Sequence, residues 1–429
     1  MPVAPFHPMT QPRRELFYGW WIVGASFLIL LITVGIGLYG PPVFLIPLQD
    51  HFGWSRAAIA GGSAVAFLTA GVVAPLVGVL IDRYGSRKVM TTGALVMGCA
   101  FCLLSAIRSL WQFYALNVIV AIGITFVAFI PNQTLISNWF HRKRGLAMGI
   151  ALAGIGFGGL SMPPLAAFVI ADFGWRVAYA VLGSLVLLIV VTVTLAVVRS
   201  RPRDMGLLPD GEPVAADPRP GALVDGNGVV AEIGGLELSQ SLRTSAFWIL
   251  SLGHLLWAFG SISLISHLPA FLTDQGFESQ VAARSLALAI GCSVIGRLSF
   301  GVLSDRFTKG RILSVALILH ALAVLCLFRV HAFGALPGFV ILFGMGLGGV
   351  AVLIPLMVGE CFGLRAFGKV LGLVTISATL GGAVGPVVTG RIFDVMGGYQ
   401  VAFILHIIAF MAGAVAITSL RRPGGAREA

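Results

Sequence analysis

The sequence predicts an all-α membrane protein with twelve transmembrane helices, arranged as two pseudo-symmetric six-helix bundles. Three observations lead to this prediction: the composition, twelve long apolar runs and an internal repeat. Of the 429 residues, 58% are hydrophobic and only 10% are charged, whereas a soluble domain carries about a quarter charged residues. The composition therefore argues against an ordinary cytosolic enzyme and indicates that lipid surrounds most of the chain.

The long apolar runs are interpreted as membrane-spanning helices. A helix needs roughly 20 mostly apolar residues to cross about 30 Å of hydrocarbon, and it pairs its backbone polar groups within itself, as lipid requires. The first run is too long for a signal peptide and has no small-residue cleavage site after it. The twelve runs are 19–47, 57–80, 89–107, 110–135, 145–170, 175–198, 246–272, 281–303, 311–329, 333–358, 368–390 and 399–420.

Residues 199–245 are the one stretch with the composition of a soluble segment. They are rich in Pro, Gly and Asp and lack apolar periodicity, which is typical of a linker. A short helix is expected near its end, at 236–242. The sequence thus predicts an N-terminal bundle over 1–198, a cytoplasmic linker over 199–245 and a C-terminal bundle over 246–429.

The arginines and lysines predict which side of the membrane the chain ends occupy. Of these 28 residues, 21 lie in the two tails, the linker and the loops on the same side. By the positive-inside rule, both termini are expected in the cytoplasm, in a plasma membrane of the bacterial inner-membrane type. The net charge of +11 is attributed to topology and to contact with membrane lipid, and no nucleic-acid partner is expected.

The two halves of the chain repeat each other at an offset of 223 residues. The run Gly-Val-Leu-Ile-Asp-Arg from Gly78 to Arg83 returns as Gly-Val-Leu-Ser-Asp-Arg from Gly301 to Arg306. Matches at one constant offset indicate a duplicated six-helix unit. The same offset relates Lys88 to Arg311, Gly145 to Gly368, Gly149 to Gly372, Gly158-Gly159 to Gly381-Gly382, Pro163 to Pro386 and Gly174 to Gly397.

The six-plus-six layout, the central linker and the Asp-Arg motif after spans two and eight resemble the major facilitator superfamily of transporters. The resemblance covers the whole chain and implies two halves that rock about a mid-membrane cavity. An Asp in this motif can accept from the first amides of a neighbouring helix, while the Arg forms a salt bridge across the loop. A static topology anchor is the alternative. The resemblance assigns a cytoplasmic gate to Asp82, Arg83, Asp305 and Arg306.

A narrower resemblance concerns the start of span five. The segment from Trp139 to Gly154, which begins Trp-Phe-His-Arg-Lys-Arg, is similar to a signature of the monocarboxylate and oxalate–formate branch. Its basic residues Arg142 and Arg144 are added to the expected gate. The segment from Glu15 to Trp21 is a looser match to the Gly-Trp motif with which that branch begins span one.

Arg297 occupies the place in span eight where that branch has a carboxylate-binding arginine. It lies eight residues, about 12 Å, before Asp305, at a depth where a charge is costly and usually faces a cavity or a partner. No acidic residue lies within one turn on its helix, and its repeat counterpart is Ala74. Since a guanidinium can hold a carboxylate through two parallel hydrogen bonds, Arg297 is interpreted as a substrate anchor. A lock to backbone carbonyls or to a distant Glu is the alternative.

Other polar or amphipathic residues in the apolar runs are weaker candidates for the substrate site: Tyr39, Asn117, His254, Trp257 and Ser377. In the family, spans one, four, seven and ten line the cavity, which favours the first four; packing is the alternative for each. Proton-coupled monocarboxylate carriers have an acidic residue at the place of Ser293 and a lysine in span one, which 38–44 lack. Coupling to a proton therefore stays open.

The sequence thus predicts a secondary or facilitative carrier of a small organic anion, a monocarboxylate in the first instance, working by alternating access as a monomer. An exporter of amphipathic or drug-like compounds is the alternative, and a transport-inactive receptor is an alternative of another class. No His-Glu-x-x-His metal motif and no nucleotide-binding loop are present, so neither an enzyme nor a cofactor is expected.

Overall fold

The computed structural model of the protein describes residues 17–211, 235–332 and 334–420, and these are almost entirely helical. The tails and the middle of the linker, whose charges enter the positive-inside argument, lie outside the described residues, as does Glu15. The helices are α1 (Gly19–Val34), α2 (Leu45–Phe52), α3 (Arg56–Tyr84), α4 (Ser86–Leu104), α5 (Leu110–Val127), α6 (Phe129–Trp139), α7 (Arg144–Leu185), α8 (Val191–Ala196), α9 (Leu238–Leu242), α10 (Ser245–Asp274), α11 (Ser279–Arg306), α12 (Lys309–Leu327), α13 (Ala335–Phe362), α14 (Phe367–Met396) and α15 (Gln400–Thr418).

Eleven helical segments in the described chain are long and apolar enough to cross a membrane. One of them, Arg144–Ala196, has 53 residues and would be about 80 Å long if straight. Its backbone turns at Gly174, whose φ of +81° and ψ of 165° are not helical and suit glycine. This segment therefore contains the fifth and sixth predicted spans, so the structure agrees with twelve crossings.

The first predicted span, 19–47, ends earlier than expected. The helix continues from α1 as a π-helical turn, Gly35–Tyr39, which is followed by a 3-10 turn, Pro41–Phe44. A proline has no backbone N–H to donate, so the two prolines at 41 and 42 end the span. The apolar residues that follow belong to the separate short helix α2.

The helices before the linker, α1–α8, and those after it, α10–α15, meet along two seams. The first seam joins α3 to α14, and the second joins α7 to α11. Both depend on glycine: a methyl group on Gly78 would collide with the Gly368 oxygen, and one on Gly145 with the Gly301 oxygen. Close approach of this kind drives helix packing in lipid. Because these pairs share the 223-residue offset, the repeat forms two equivalent seams.

The turns and loops between α3 and α4, α6 and α7, α11 and α12, and α13 and α14 lie on one face of the helices, together with the linker. We call it the linker face. The linker enters it through residues 199–211 and leaves it through α9, which confirms the predicted short helix. The division into 1–198, 199–245 and 246–429 stays a prediction.

Candidate substrate site and gate

Arg297 is a buried cation in the middle of α11. It is only 4% exposed, and it is the one Asp, Glu, Lys or Arg among the described side chains that is fully buried. It lies nine residues, about 14 Å, from the end of α11 on the linker face. An arginine at this depth is stable only when a partner or a polar cavity compensates its charge.

The protein itself supplies Arg297 with one neutral partner. Its Nη1 donates to the Ser293 hydroxyl at 2.8 Å, and Ser293 Oγ donates in turn to the Ile290 carbonyl at 2.5 Å. The Arg297 Nε is buried without a hydrogen-bond partner. No carboxylate or backbone carbonyl of the described chain bonds this guanidinium, so neither alternative role, a lock to carbonyls or to a distant Glu, is found there.

Residues from the first set of helices lie around the guanidinium. A methyl group on Gly156 of α7 would lie 3.2 Å from the Arg297 Nη1, so the α7 backbone passes close by. Tyr39, half-buried at the end of the first span, lies within electrostatic range of Arg297, and its ring faces Gly159. The structure therefore brings together two of the predicted residues, Arg297 and Tyr39, from the two sides of the second seam.

A second group forms between α10 and α14. His254 Nδ1 donates to the Val374 carbonyl at 3.2 Å, and the Ser377 hydroxyl donates to the same oxygen at 2.6 Å. The Trp257 ring stacks on His254 with centroids 5.4 Å apart, and its Nε1 donates to His320 Nε2 at 3.2 Å. Three predicted residues thus lie together: His254 and Ser377 donate to one carbonyl, and Trp257 stacks on His254.

The second group lies in the same part of the helices as Arg297. His254 is nine residues from the start of α10 and Arg297 nine from the end of α11, so each lies about 14 Å along its helix from the linker face. His320 Nδ1 lies 2.9 Å from the Ala316 carbonyl. Because a carbonyl only accepts, His320 is the neutral ring with its proton on Nδ1, and it holds Trp257 in place.

Asn117 joins neither group. Its Nδ2 donates to the Phe113 carbonyl at 2.8 Å and lies beside Gly62 of α3. Within the described ranges it makes no hydrogen bond to Arg297 or His254. Conversely, Ser293 was not predicted to be a partner of Arg297, although it lies one turn earlier on the same helix, at the spacing at which helical side chains meet.

The linker face carries two carboxylates at helix ends. The two Asp305 oxygens accept from the Gly145 and Leu146 amides at 2.7 and 2.9 Å, at the start of α7. Asp82 accepts from the Lys369 amide at 3.4 Å, at the start of α14. Each bond joins one set of helices to the other, and each places a negative charge at the positive end of a helix.

The arginines of the motif differ from the expectation. Within the described residues neither Arg83 nor Arg306 forms a salt bridge; Arg83 instead lies over the Tyr84 ring at 5.2 Å, and Arg306 is exposed at the end of α11. An arginine at the membrane surface gains little from an ion pair because water screens it. Of the four motif residues, the two aspartates therefore join the two sets of helices, and the two arginines do not.

Arg144 has a different environment from those two. Its Nε donates to the Phe140 carbonyl at 2.9 Å. Its charge interacts with three carboxylates, one in the linker and two in the second set of helices: Asp210, Asp305 and Glu360. The backbone amide of Arg142 donates to Asp210 as well, at 2.8 Å.

Comparison with known proteins decides the family. The model of the Major Facilitator Superfamily matches residues 25–333 and 285–429, which together cover most of the chain. The chain belongs to the major facilitator superfamily. It is therefore a multi-pass membrane transporter and not an enzyme.

Relatives within the major facilitator superfamily span nearly the whole chain. Human monocarboxylate transporter 2 is 27% identical over 417 residues, covering 93% of this chain and 84% of the relative. Mouse monocarboxylate transporter 11 is 29% identical over 418 residues, covering 94% and 88%.

Solved structures show the same major facilitator fold. The transporter FucP in its outward conformation superposes with a TM-score of 0.70 at 15% identity, covering 95% of this chain and all of the other. The human organic anion transporter MFSD10 gives 0.68 at 17% identity with the same coverage.

This major facilitator transporter has its linker face closed. The two glycine pairs bring the backbones of the two sets together there, and both carboxylates bridge from one set to the other. Opening this face would break the bonds that Asp305 and Asp82 accept. The predicted gate would consist of such contacts, which are made in one state and lost in another.

Proposed function

We propose that this transporter carries a small organic anion with one carboxylate, a monocarboxylate, by alternating access, with Arg297 as its anchor. The observation that carries the proposal is a buried guanidinium, at the seam between the two sets of helices, with which no carboxylate of the described residues pairs. The names of the relatives, monocarboxylate transporters and an organic anion transporter, support the same substrate class.

The hydrogen bonds of Arg297 indicate how a carboxylate would bind. Ser293 occupies Nη1, which leaves the edge formed by Nε and Nη2 for the substrate. This edge presents two parallel N–H groups at the spacing of the two oxygens of a carboxylate. A carboxylate there would compensate the buried charge, and a dianion would meet no second buried cation among the described residues.

The position of Tyr39 connects binding to alternating access. Arg297 belongs to the second set of helices and Tyr39 to the first, so an anion held by Arg297 would touch both sets. The charge of the anion would therefore act on residues on both sides of the second seam, where the two sets must move relative to each other. His254, Trp257 and Ser377 are proposed as the wall of the cavity at the same depth.

We further propose that the linker face is the cytoplasmic face of a plasma membrane. The described loops on this face carry clustered basic residues, which the positive-inside rule assigns to the cytoplasm. These clusters are Arg83, Arg87 and Lys88; Arg142, Lys143 and Arg144; and Arg306, Lys309 and Arg311. Expression with a reporter fused to the C-terminus, active only in the cytoplasm, tests this orientation.

Uptake of radiolabelled lactate, pyruvate and formate into proteoliposomes tests the substrate class. We expect saturable uptake of at least one of them by the native protein and its loss in Arg297→Ala. Arg297→Lys, which keeps the charge but offers no bidentate edge, is expected to retain only weak uptake. The matched control is Arg284→Ala, which removes an exposed arginine from the same helix and should leave uptake unchanged.

Two outcomes would contradict the proposal. Saturable uptake that Arg297→Ala leaves intact would place the substrate site elsewhere. No uptake of any of the three acids, by a protein shown to be folded, would favour a larger anion or the export of amphipathic compounds.

A further inference from the structure

The first part of the linker is bound to the loop between α6 and α7. Asp210 Oδ2 accepts from the amides of His141 and Arg142, at 3.1 and 2.8 Å. At the first residue of the linker, the Arg199 carbonyl accepts from Trp139 Nε1 at 2.8 Å. The linker carboxylate therefore holds the backbone just before the start of α7, the helix end that Asp305 caps.

Asp210 adopts a backbone conformation that residues with a side chain usually avoid. Its φ is +62°, and it is the one residue other than glycine with a positive φ in the described chain. The left-handed region is unfavourable for residues with a Cβ, and Asp enters it where its side chain finds local hydrogen bonds. The bonds of Asp210 are not local: they go to the two amides before α7, 69 and 68 residues earlier in the chain, and they compensate for the unfavourable backbone.

The charge of Asp210 also acts on Arg144, which crosses between the two sets. Arg144 belongs to α7, and its charge interacts with Asp210, Asp305 and Glu360. It reaches the second set, since a methyl group on Gly359 of α13 would lie 3.0 Å from its Nη1. Asp210 is thus one of three carboxylates whose charges act on Arg144. The other two belong to the second set, where Glu360 also pairs with Lys309 at 2.8 Å.

The end of the linker is attached to the equivalent loop of the second set in a different manner. The Leu236 amide donates to the Phe362 carbonyl at 2.8 Å, and Glu237 pairs with Arg365 at 3.0 Å. Both side chains of this ion pair are about half exposed, so it contributes little. Asp210, in contrast, binds next to Arg144, whose charge acts on carboxylates of the second set.

We propose that Asp210 is a positioning residue of the gate. It fixes the loop before α7 so that Arg144 meets Asp305 and Glu360, and it thereby stabilises the closed linker face. The linker then takes part in setting the balance between the two states of the transporter. This role does not depend on which anion is carried.

Pulsed electron–electron resonance between two spin labels measures the opening of the linker face directly. The labels are attached to Lys88→Cys and Phe307→Cys, which are exposed at the linker face on the first and second set, in a protein without its five native cysteines. The variant Asp210→Gly removes the carboxylate and accepts the left-handed backbone. We expect it to increase the population of the longer distance about threefold or more, and Asp210→Asn, which keeps an acceptor, to give a smaller increase.

Two further variants complete the experiment. Glu237→Gln, the matched change at the other end of the linker, should alter the distances little, and Asp305→Asn should increase the open population. An unchanged distribution in Asp210→Gly, whether or not Asp305→Asn opens the face, would overturn the proposal. Thermal unfolding of each variant separates a shift between states from a loss of folding. Because no substrate is needed, failure here is distinct from failure of the anion-carrier proposal.

Discussion

The two seams between the helix sets are built from the same parts. In the first seam Gly78 faces Gly368, and in the second Gly301 faces Gly145, at the constant offset of 223 residues. Each seam ends at the linker face in an Asp that accepts from the first amides of the facing helix. The parts that hold the sets together are therefore duplicated.

The seams differ in the middle of the membrane. The Ala74 oxygen lies beside Gly372 in the first seam, just as the Arg297 oxygen lies beside Gly149 in the second. At the position of Arg297 and Ser293 the first seam has only Ala74 and Ala70. The repeat thus preserved the contact between backbones, and the buried charge with its partner belongs to one copy alone. Packing is therefore duplicated in this protein, whereas the proposed anion site is present in one copy only.

The largest effect is expected from removing the charge that distinguishes the seams. Arg297→Ala makes the second seam resemble the first, and uptake at low substrate concentration should fall roughly 100-fold because a buried charge-assisted pair is lost. The closed linker face should persist, since Arg297 does not hold it. Spin-label distances measured beside the uptake check both parts, and an opened face would show that site and gate are not separate.

The next largest effect tests whether the seams pack alike. Gly301→Val and Gly78→Val each place a side chain against the backbone of the facing helix, and overpacking costs about 1–3 kcal/mol. Both should reduce the ratio of closed to open protein by about tenfold, measured with the same labels. Gly24→Val serves as the control because nothing lies within 4 Å of a Cβ there. A strong effect of only one of the two substitutions would contradict the equivalence of the two seams.

A moderate effect should distinguish the two carboxylates. Asp305 accepts two amide bonds at 2.7 and 2.9 Å, whereas the bond from Lys369 to Asp82 is 3.4 Å long. We therefore expect Asp305→Asn to increase the open population about tenfold and Asp82→Asn about threefold. Equal changes in the two distance distributions would contradict this order.

The smallest effect concerns the partner of Arg297. Ser293→Ala removes the hydroxyl that holds Nη1, and the KM for the transported anion should rise about threefold with little change in the maximal rate. The control is Ser285→Ala, which removes a buried hydroxyl of the same helix that bonds only the Val281 carbonyl. A lowered maximal rate with unchanged KM would instead indicate that Ser293 acts in the conformational step.

Much of the fold was accessible from the sequence because it depends on local properties. Apolar runs of sufficient length predict helices in lipid wherever they occur, and the repeat predicts that Gly174 and Gly397 are equivalent. Both indeed have a positive φ, +81° and +68°, at the turn between two spans. The end of the first span was missed because its apolar run continues through two prolines into α2.

The candidate site was accessible only in part. A charged residue in an apolar run is easily recognised in the sequence, so Arg297 was predicted as a site residue without any structure. The grouping of Tyr39 with Arg297, and of Ser377 with His254, required the packing of helices that are far apart in the chain. Asn117 had the same polarity in the same type of run, yet its amide is bonded within its own helix.

The sequence by itself determined the membrane environment, the number of spans, the duplication and the buried arginine, since each is a property of one segment or of two similar segments. Only the tertiary structure decided that no carboxylate among the described residues pairs with Arg297, that Asp305 caps a helix 160 residues away, and that Asp210 binds the loop before α7. Composition and periodicity state which residues avoid lipid or water. They do not state which residues meet, because that depends on how helices distant in the chain pack together.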